Sequence, residues 1–150
     1  MRKGLLIALL LLPFAARAET VDGQAVFDAN CGLCHQTGAV GVPGQFPRLA
    51  GRVGVIAAHP EGRRYLAHVL LNGMSGMVSI DGATIVGYMP SFATRSDAEI
   101  AAVLRWLSGL GGGKPTPFTA AEIAAERGKP LVPSAVHAER AALVAAKVVP

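Results

Sequence analysis

The reactive side chains of this sequence concentrate in Cys31-Gly32-Leu33-Cys34-His35, two thiols three positions apart followed at once by an imidazole. These are the only two cysteines in the chain. Three chemistries compete for them. A Cys-x-x-Cys pair can be a dithiol–disulfide redox centre. Two thiolates and a histidine can be part of a zinc site. Two thiols on one short turn can also add to the two vinyl groups of a single porphyrin, which places the next residue's imidazole beneath the ring as an axial iron ligand. The last fits the spacing best. Zinc needs a further strong ligand at close spacing, and no second Cys-x-x-Cys and no His-x-x-x-His is present. A thioredoxin-like enzyme needs alternating strands and helices, and alternating β-branched runs are few here.

One imidazole leaves the opposite iron position open. Met74, Met77, Met89, His59, His68 and His137 are the available donors. Met89 precedes Pro90, which lacks an N–H and biases its predecessor toward extended backbone. Met89 is therefore expected in an extended loop that can hold a thioether over a ring; the plain alternative is a flexible core filler. Met74 and Met77 flank Ser75-Gly76 and are expected in the core or at a ring edge. His59 (just before Pro60), His68 (within a helix) and His137 (in the tail) read as ordinary histidines. Histidine plus methionine ligation raises a haem potential and fills all six iron positions, which favours electron transfer over catalysis at the metal.

The elements that must position these groups are helical. Asp22 to Ala29 reads as a short helix with Val26 and Phe27 available for packing, leading directly into the Cys-x-x-Cys-His turn. Residues 37–54 are rich in Gly and Pro and read as an irregular loop. Pro60 and Glu61 suit a helix start, Tyr65, Val69 and Leu70 follow at helical spacing, and Asn72-Gly73 ends the helix. Ser96-Asp-Ala-Glu99 is a capping box for a helix with Ile100, Val103, Leu104 and Leu107 on one face, closed by Gly109. Residues 111–117 form a linker. Thr119-Ala-Ala-Glu122 caps a short helix to about Arg127, and Ser134 to Lys147 reads as a last helix with Val136, Leu143 and Val144 on one side. These two tail helices carry too little apolar area to fold alone, so they must lie on the rest of the chain or on a partner.

The segments Gly23 to His35, Gly44-Gln-Phe-Pro-Arg-Leu-Ala-Gly51 and Gly87-Tyr-Met-Pro-Ser-Phe92 together resemble a class I cytochrome c. The resemblance runs from about Val21 to Leu110. Within the family it is nearest to the small bacterial cytochromes that serve, free or as subunits, as acceptors for periplasmic dehydrogenases. It implies an all-α fold of short helices wrapped around one covalent haem c, with a C-terminal helical extension over residues 111–150. It implies thioether bonds at Cys31 and Cys34, axial ligation by His35 and Met89, and a carbonyl near Pro43 accepting the His35 N–H, the plain alternative for Pro43 being a turn proline. Phe46, Tyr88 and Phe92 would wall the ring. The helix after Ser96 would cross the first helix near Gly23 and Phe27, with Trp106 packed there or at the haem edge. Arg48 and Arg52 could meet the haem carboxylates or lie on the surface. The function implied is a one-electron carrier and not an enzyme, taking electrons from a dehydrogenase and passing them to a terminal oxidase or another carrier. The rivals are a thiol redox protein using Cys31 and Cys34, and a haem-based ligand-binding or sensor protein should Met89 leave the iron open.

Composition bounds these readings. A chain of 150 residues with 51% hydrophobic and 16% charged residues is one folded domain, not a disordered polymer. Its +4 charge suggests an anionic partner until the charges are located. Met1-Arg2-Lys3, an apolar run from Gly4 to Leu12 and an Ala16-Arg17-Ala18 end have the pattern of a secretory signal, residues 1–18, cleaved after Ala18. The apolar run is too short to span a bilayer. Arg2, Lys3 and Arg17 are three of the 14 basic residues, so 11 remain against 10 acidic and the charge falls to +1. The nucleic-acid reading then has no support, and the expected location is the periplasm. With 5% aromatics, residues 19–110 suit a small domain built around a porphyrin.

Overall fold

A computed structural model describes residues 20–112, 114 and 116–150. The expected signal segment, residues 1–18, lies outside the described residues. The chain opens with α1 (Gly23–Asn30), whose free N–H groups at Gln24 and Ala25 are met by the Asp22 carboxylate at 2.9 and 3.2 Å. A one-turn helix α2 (Gly32–His35) follows immediately, so both cysteines and His35 lie on consecutive turns. After a 3-10 turn at Thr37–Ala39 come α3 (Val53–Ala57) and α4 (Pro60–Asn72), the latter started by Pro60 and stopped at Gly73 (φ 74°). The short helix α3 stands at the end of a stretch expected to be irregular.

The next element corrects the all-α expectation. Residues β1 (Met74–Ile80) and β2 (Ala83–Met89) form an antiparallel hairpin, so Met89 ends a strand and does not lie in a loop. Asp81 and Gly82 form its two-residue turn, both with positive φ (52° and 77°), the backbone a tight hairpin demands. Around that Asp-Gly pair, Val78, Ile80, Ile85 and their polar neighbours alternate, a strand signal masked by the flanking glycines.

The helix α5 (Asp97–Gly109) carries the expected capping box between Ser96 and Glu99, and α6 (Ala120–Arg127) the one between Thr119 and Glu122. The last helix is α7 (Pro133–Ala145). As expected, α1 crosses α5 at Gly23, where a Cβ would collide with the Ala102 carbonyl. Phe27 is fully buried there against Trp106, ring centroids 4.8 Å apart. Trp106 is thus a packing residue.

The tail helices are part of the same core. Phe118, Ile123, Val136, Leu143, Val148 and Val149 are buried in one cluster with Phe27, Leu66 and Leu104. Helix α6 lies on α4 and α5, and α7 on α4 and β1. Polar ties fix them. Arg63 bonds Glu122 (2.6 Å) and the Pro117 carbonyl (2.8 Å) while stacking 4.1 Å over Phe118. The Arg127 guanidinium holds Asp97, Ala93 O and Arg95 O. His68 is buried between Glu139 (2.8 Å) and Glu126 (3.1 Å). Among the described residues no helix is long and apolar enough to cross a membrane.

Candidate functional site

A cleft of about 710 Å³ of space between atoms, counted out to its mouth, runs between α4, the hairpin and the loop after α2. His35 enters from one side. The imidazole is 6% exposed, and its Nδ1 lies 2.9 Å from the Pro47 carbonyl. A carbonyl can only accept, so Nδ1 carries the hydrogen and Nε2 is left with a lone pair for a metal. Burial lowers the His35 pKa, against the smaller opposing effect of the Pro47 bond, and so favours the neutral, ligating form.

The accepting carbonyl belongs to Pro47, not to the expected Pro43. The Val42 N–H bonds the Phe46 carbonyl, and the Gln45 and Phe46 N–H groups bond Val42 O, which closes residues 42–46 into a tight turn. Pro43 is carried off within that turn, and the chain returns beneath the imidazole only at Pro47. Gly41 permits this: its φ is +70°, and a Cβ there would strike the backbone of Phe46, Pro47 and Arg48.

Cys31 and Cys34 are half-buried at the α1–α2 junction. Burial, and then the neighbouring Cys34, push the Cys31 thiol up to about 11. A redox dithiol needs a thiol lowered toward neutrality, so the environment opposes that chemistry. Among the described residues no group of three His, Cys, Asp or Glu is placed to hold a metal ion, so nothing in the geometry supports the zinc reading.

The hairpin forms the opposite side of the cleft. Met74 and Met89 are direct cross-strand partners, so they share its inner face with the buried Val78 and Ile85, and both line the cleft. Met77 and Tyr88 fall on the opposite parity and are 64% and 65% exposed. Tyr88 therefore cannot wall the cleft. Phe46 sits in the 42–46 turn, partly exposed, and Phe92 packs beside Cys31 and Val103 in a separate small cleft. The aromatic ring that does line the main cleft is Tyr65, visible in the sequence only as one residue of an apolar helix face. His59 precedes α4, His68 lies between its two glutamates, and His137 bonds the Met77 carbonyl at 2.8 Å; none lines the cleft.

Cations gather on the cleft wall. Arg48 and Arg52 both reach it, and both pair with Asp81 in the hairpin turn. Arg52 is buried and also bonds the Pro150 carbonyl. Arg140 of α7 is 8% exposed, lines the cleft, and has no carboxylate partner among the described residues. Sequence reasoning missed it, because nothing local marks it. A buried guanidinium without an anion is costly, so its presence fits a ligand that brings a carboxylate. A haem has two carboxylates and takes a neutral imidazole, a thioether and two thiols. The imidazole, thioethers and arginines of this cleft suit such a group, and the two thiols stand outside its lining, on the α1–α2 junction that leads into His35.

Comparison with known proteins agrees. Residues 18–107 match the family model described as cytochrome C oxidase, cbb3-type, subunit III. Two Thermus thermophilus proteins, each named cytochrome c-552, are similar to this chain. One is 43% identical over 143 residues, covering 92% of this chain and 95% of its own length. The other is 44% identical over 124 residues, covering 79% and 94%. The chain belongs to the cytochrome c family, as a small class I c-type cytochrome. Its cofactor is covalently bound haem c, and it is an electron-transfer protein rather than an enzyme.

Proposed function

We propose that this chain is a periplasmic one-electron carrier, exported by residues 1–18 and cleaved after Ala18, with haem tethered at Cys31 and Cys34 and iron bound by His35 and Met89. The carrying observation is the cleft itself, with a Pro47-locked imidazole on one side and a thioether on a hairpin on the other. Haem c supplies a one-electron ferric–ferrous couple when bound. The chain's own residues do the rest. Pro47 fixes the imidazole plane and leaves Nε2 free to ligate. Met89 offers a soft donor that favours the reduced state. Arg140, with Arg48 and Arg52, offsets carboxylate charge at the cleft wall. Residues 19–110 are then the haem domain, and residues 111–150 an extension whose Arg140 and Val149 complete its cavity.

Leu33, between the two cysteines, is 89% exposed, and Val40 nearby is also exposed. This apolar patch beside the tether suits brief docking of redox partners, where a modest interface allows fast release. On the donor side we place a dehydrogenase, and on the acceptor side a terminal oxidase or another carrier. The matched family is named for an oxidase subunit, which supports the acceptor side. The test is the intact mass of the protein recovered from the periplasm, followed by mixing the reduced protein with oxidase-containing membranes. The expected results are Glu19–Pro150 plus one haem, and reoxidation that stops when the oxidase is inhibited. A colourless protein, or one the membranes leave reduced, overturns the reading.

A further inference from the structure

The cleft holds two thioethers where one suffices. Met74 and Met89 are opposed across the hairpin, which puts their Cβ atoms about 4.5–5.5 Å apart, and a methionine side chain with three rotatable bonds easily covers that difference. What separates the two is how each is held.

Met89 is held by its backbone. Gly73 lets the strand end approach closely, since a Cβ there would collide with the Met89 carbonyl. Directly after Pro90, the Ser91 hydroxyl donates to Leu71 O at 2.6 Å and the Phe92 N–H to Leu70 O at 2.8 Å, which pins the segment to the end of α4. Its sulfur accepts no hydrogen bond from the described residues. Met74 is held by its sulfur. The Tyr65 hydroxyl donates to Met74 Sδ at 3.6 Å, and Tyr65 is 5% exposed, so water does not compete for that donor. A thioether lone pair engaged by O–H is a weaker metal donor than a free one.

We propose that Met74 is a reserve iron ligand, held off the metal by the Tyr65 hydroxyl, so that Tyr65 decides which of two equivalent thioethers binds. The inference rests on the His35–Met89 assignment above. The exchange balances simply: one neutral sulfur–iron bond breaks and another forms, no electron or proton leaves, and the Tyr65 O–H gives up its sulfur acceptor.

The experiment compares the haem-loaded wild type with Met89→Ala, Met89→Ala/Met74→Leu and Met89→Ala/Tyr65→Phe, by spin state, thioether signature and affinity for added imidazole. Met89→Ala is expected to keep a low-spin, thioether-ligated fraction. Adding Met74→Leu should abolish it and tighten imidazole binding roughly ten-fold, whereas adding Tyr65→Phe should enlarge it roughly five-fold, the effect of one lost hydrogen bond. Equal spin state and imidazole affinity in Met89→Ala with and without Met74→Leu overturns the proposal. Should Met89→Ala not hold haem, Tyr65→Phe alone is decisive. Methyl-labelled NMR of its reduced form should then show a second ring-current-shifted methionine methyl, absent in Tyr65→Phe/Met74→Leu; a single such methyl overturns the proposal. The underlying assignment fails differently. In that case Met89→Ala keeps the full wild-type signature and Met74→Leu alone destroys it, which makes Met74 the resident ligand and leaves no reserve.

Discussion

Arg140 carries the most information per side chain in the cleft. It is a buried cation on the cleft wall, with no carboxylate among the described residues to meet it. A positive charge in that position favours the reduced state of a group beside it, because electron gain there is attractive rather than neutral. Arg140→Gln is therefore expected to lower the midpoint potential by on the order of tens of millivolts, roughly 59 mV for each tenfold shift in the one-electron equilibrium. Spectroelectrochemical titration measures this; an unchanged midpoint would place Arg140 away from the cofactor's influence. The thiols and His35 are legible in the sequence because their geometry is local, set within one turn of helix. Arg140 is not, because its relation to His35 exists only after the tail has folded back. Pro47 in place of Pro43 is a smaller instance of the same limit: both prolines are visible, and only the 42–46 turn decides which one lies beneath the ring.

The hairpin and the helix crossing carry the precision of the site. Strand parity alone separates Met89 from Tyr88, sending one sulfur inward and one ring to solvent. Tyr88→Ser should therefore change stability by no more than about 0.5 kcal/mol and leave the absorption spectrum as it is; a spectral change would show that the ring reaches the cofactor after all. The α1–α5 contact behaves differently. Gly23→Val must push apart two helices that meet backbone to backbone at Ala102, and overpacking of that kind costs about 1–3 kcal/mol, read as a lower thermal midpoint. The capping boxes, the glycine stop of α4 and the α1–α5 crossing were all readable, since each is written in adjacent residues or in the resemblance. The strands escaped because a methionine- and glycine-containing hairpin shows little β-branched alternation outside the short stretch around Asp81-Gly82.

At the scale of the molecule, the tail is held by both packing and charge. Deleting residues 112–150 uncovers α4, α5 and the cleft wall and removes six buried apolar side chains. The expected loss is several kcal/mol, more than about 10 °C in thermal midpoint; an unchanged midpoint would make the extension an independent appendage. Acid should loosen the same attachment. For Glu122 and Glu126 burial works upward but is outweighed, by Arg63 and the Thr119 N–H in one case and by His68 and Lys129 in the other, so both carboxyls lie below their ordinary value. Because the unfolded chain then binds protons more readily than the folded one, this stability is present above the ordinary carboxylate range and is lost as pH falls through and below about 4.3. Thermal midpoints measured from pH 7 down to pH 3 should fall most steeply in that window, and Glu122→Gln/Glu126→Gln should flatten the slope. The wall supplied by Arg140 and Val149 also sets an order of events. A polypeptide made from its N-terminus presents Cys31, Cys34 and His35 well before residues 140–149 exist. With haem tethered at Cys31 and Cys34 as proposed, a porphyrin would enter most easily before residues 140–149 pack, and those residues would then close the cleft around it.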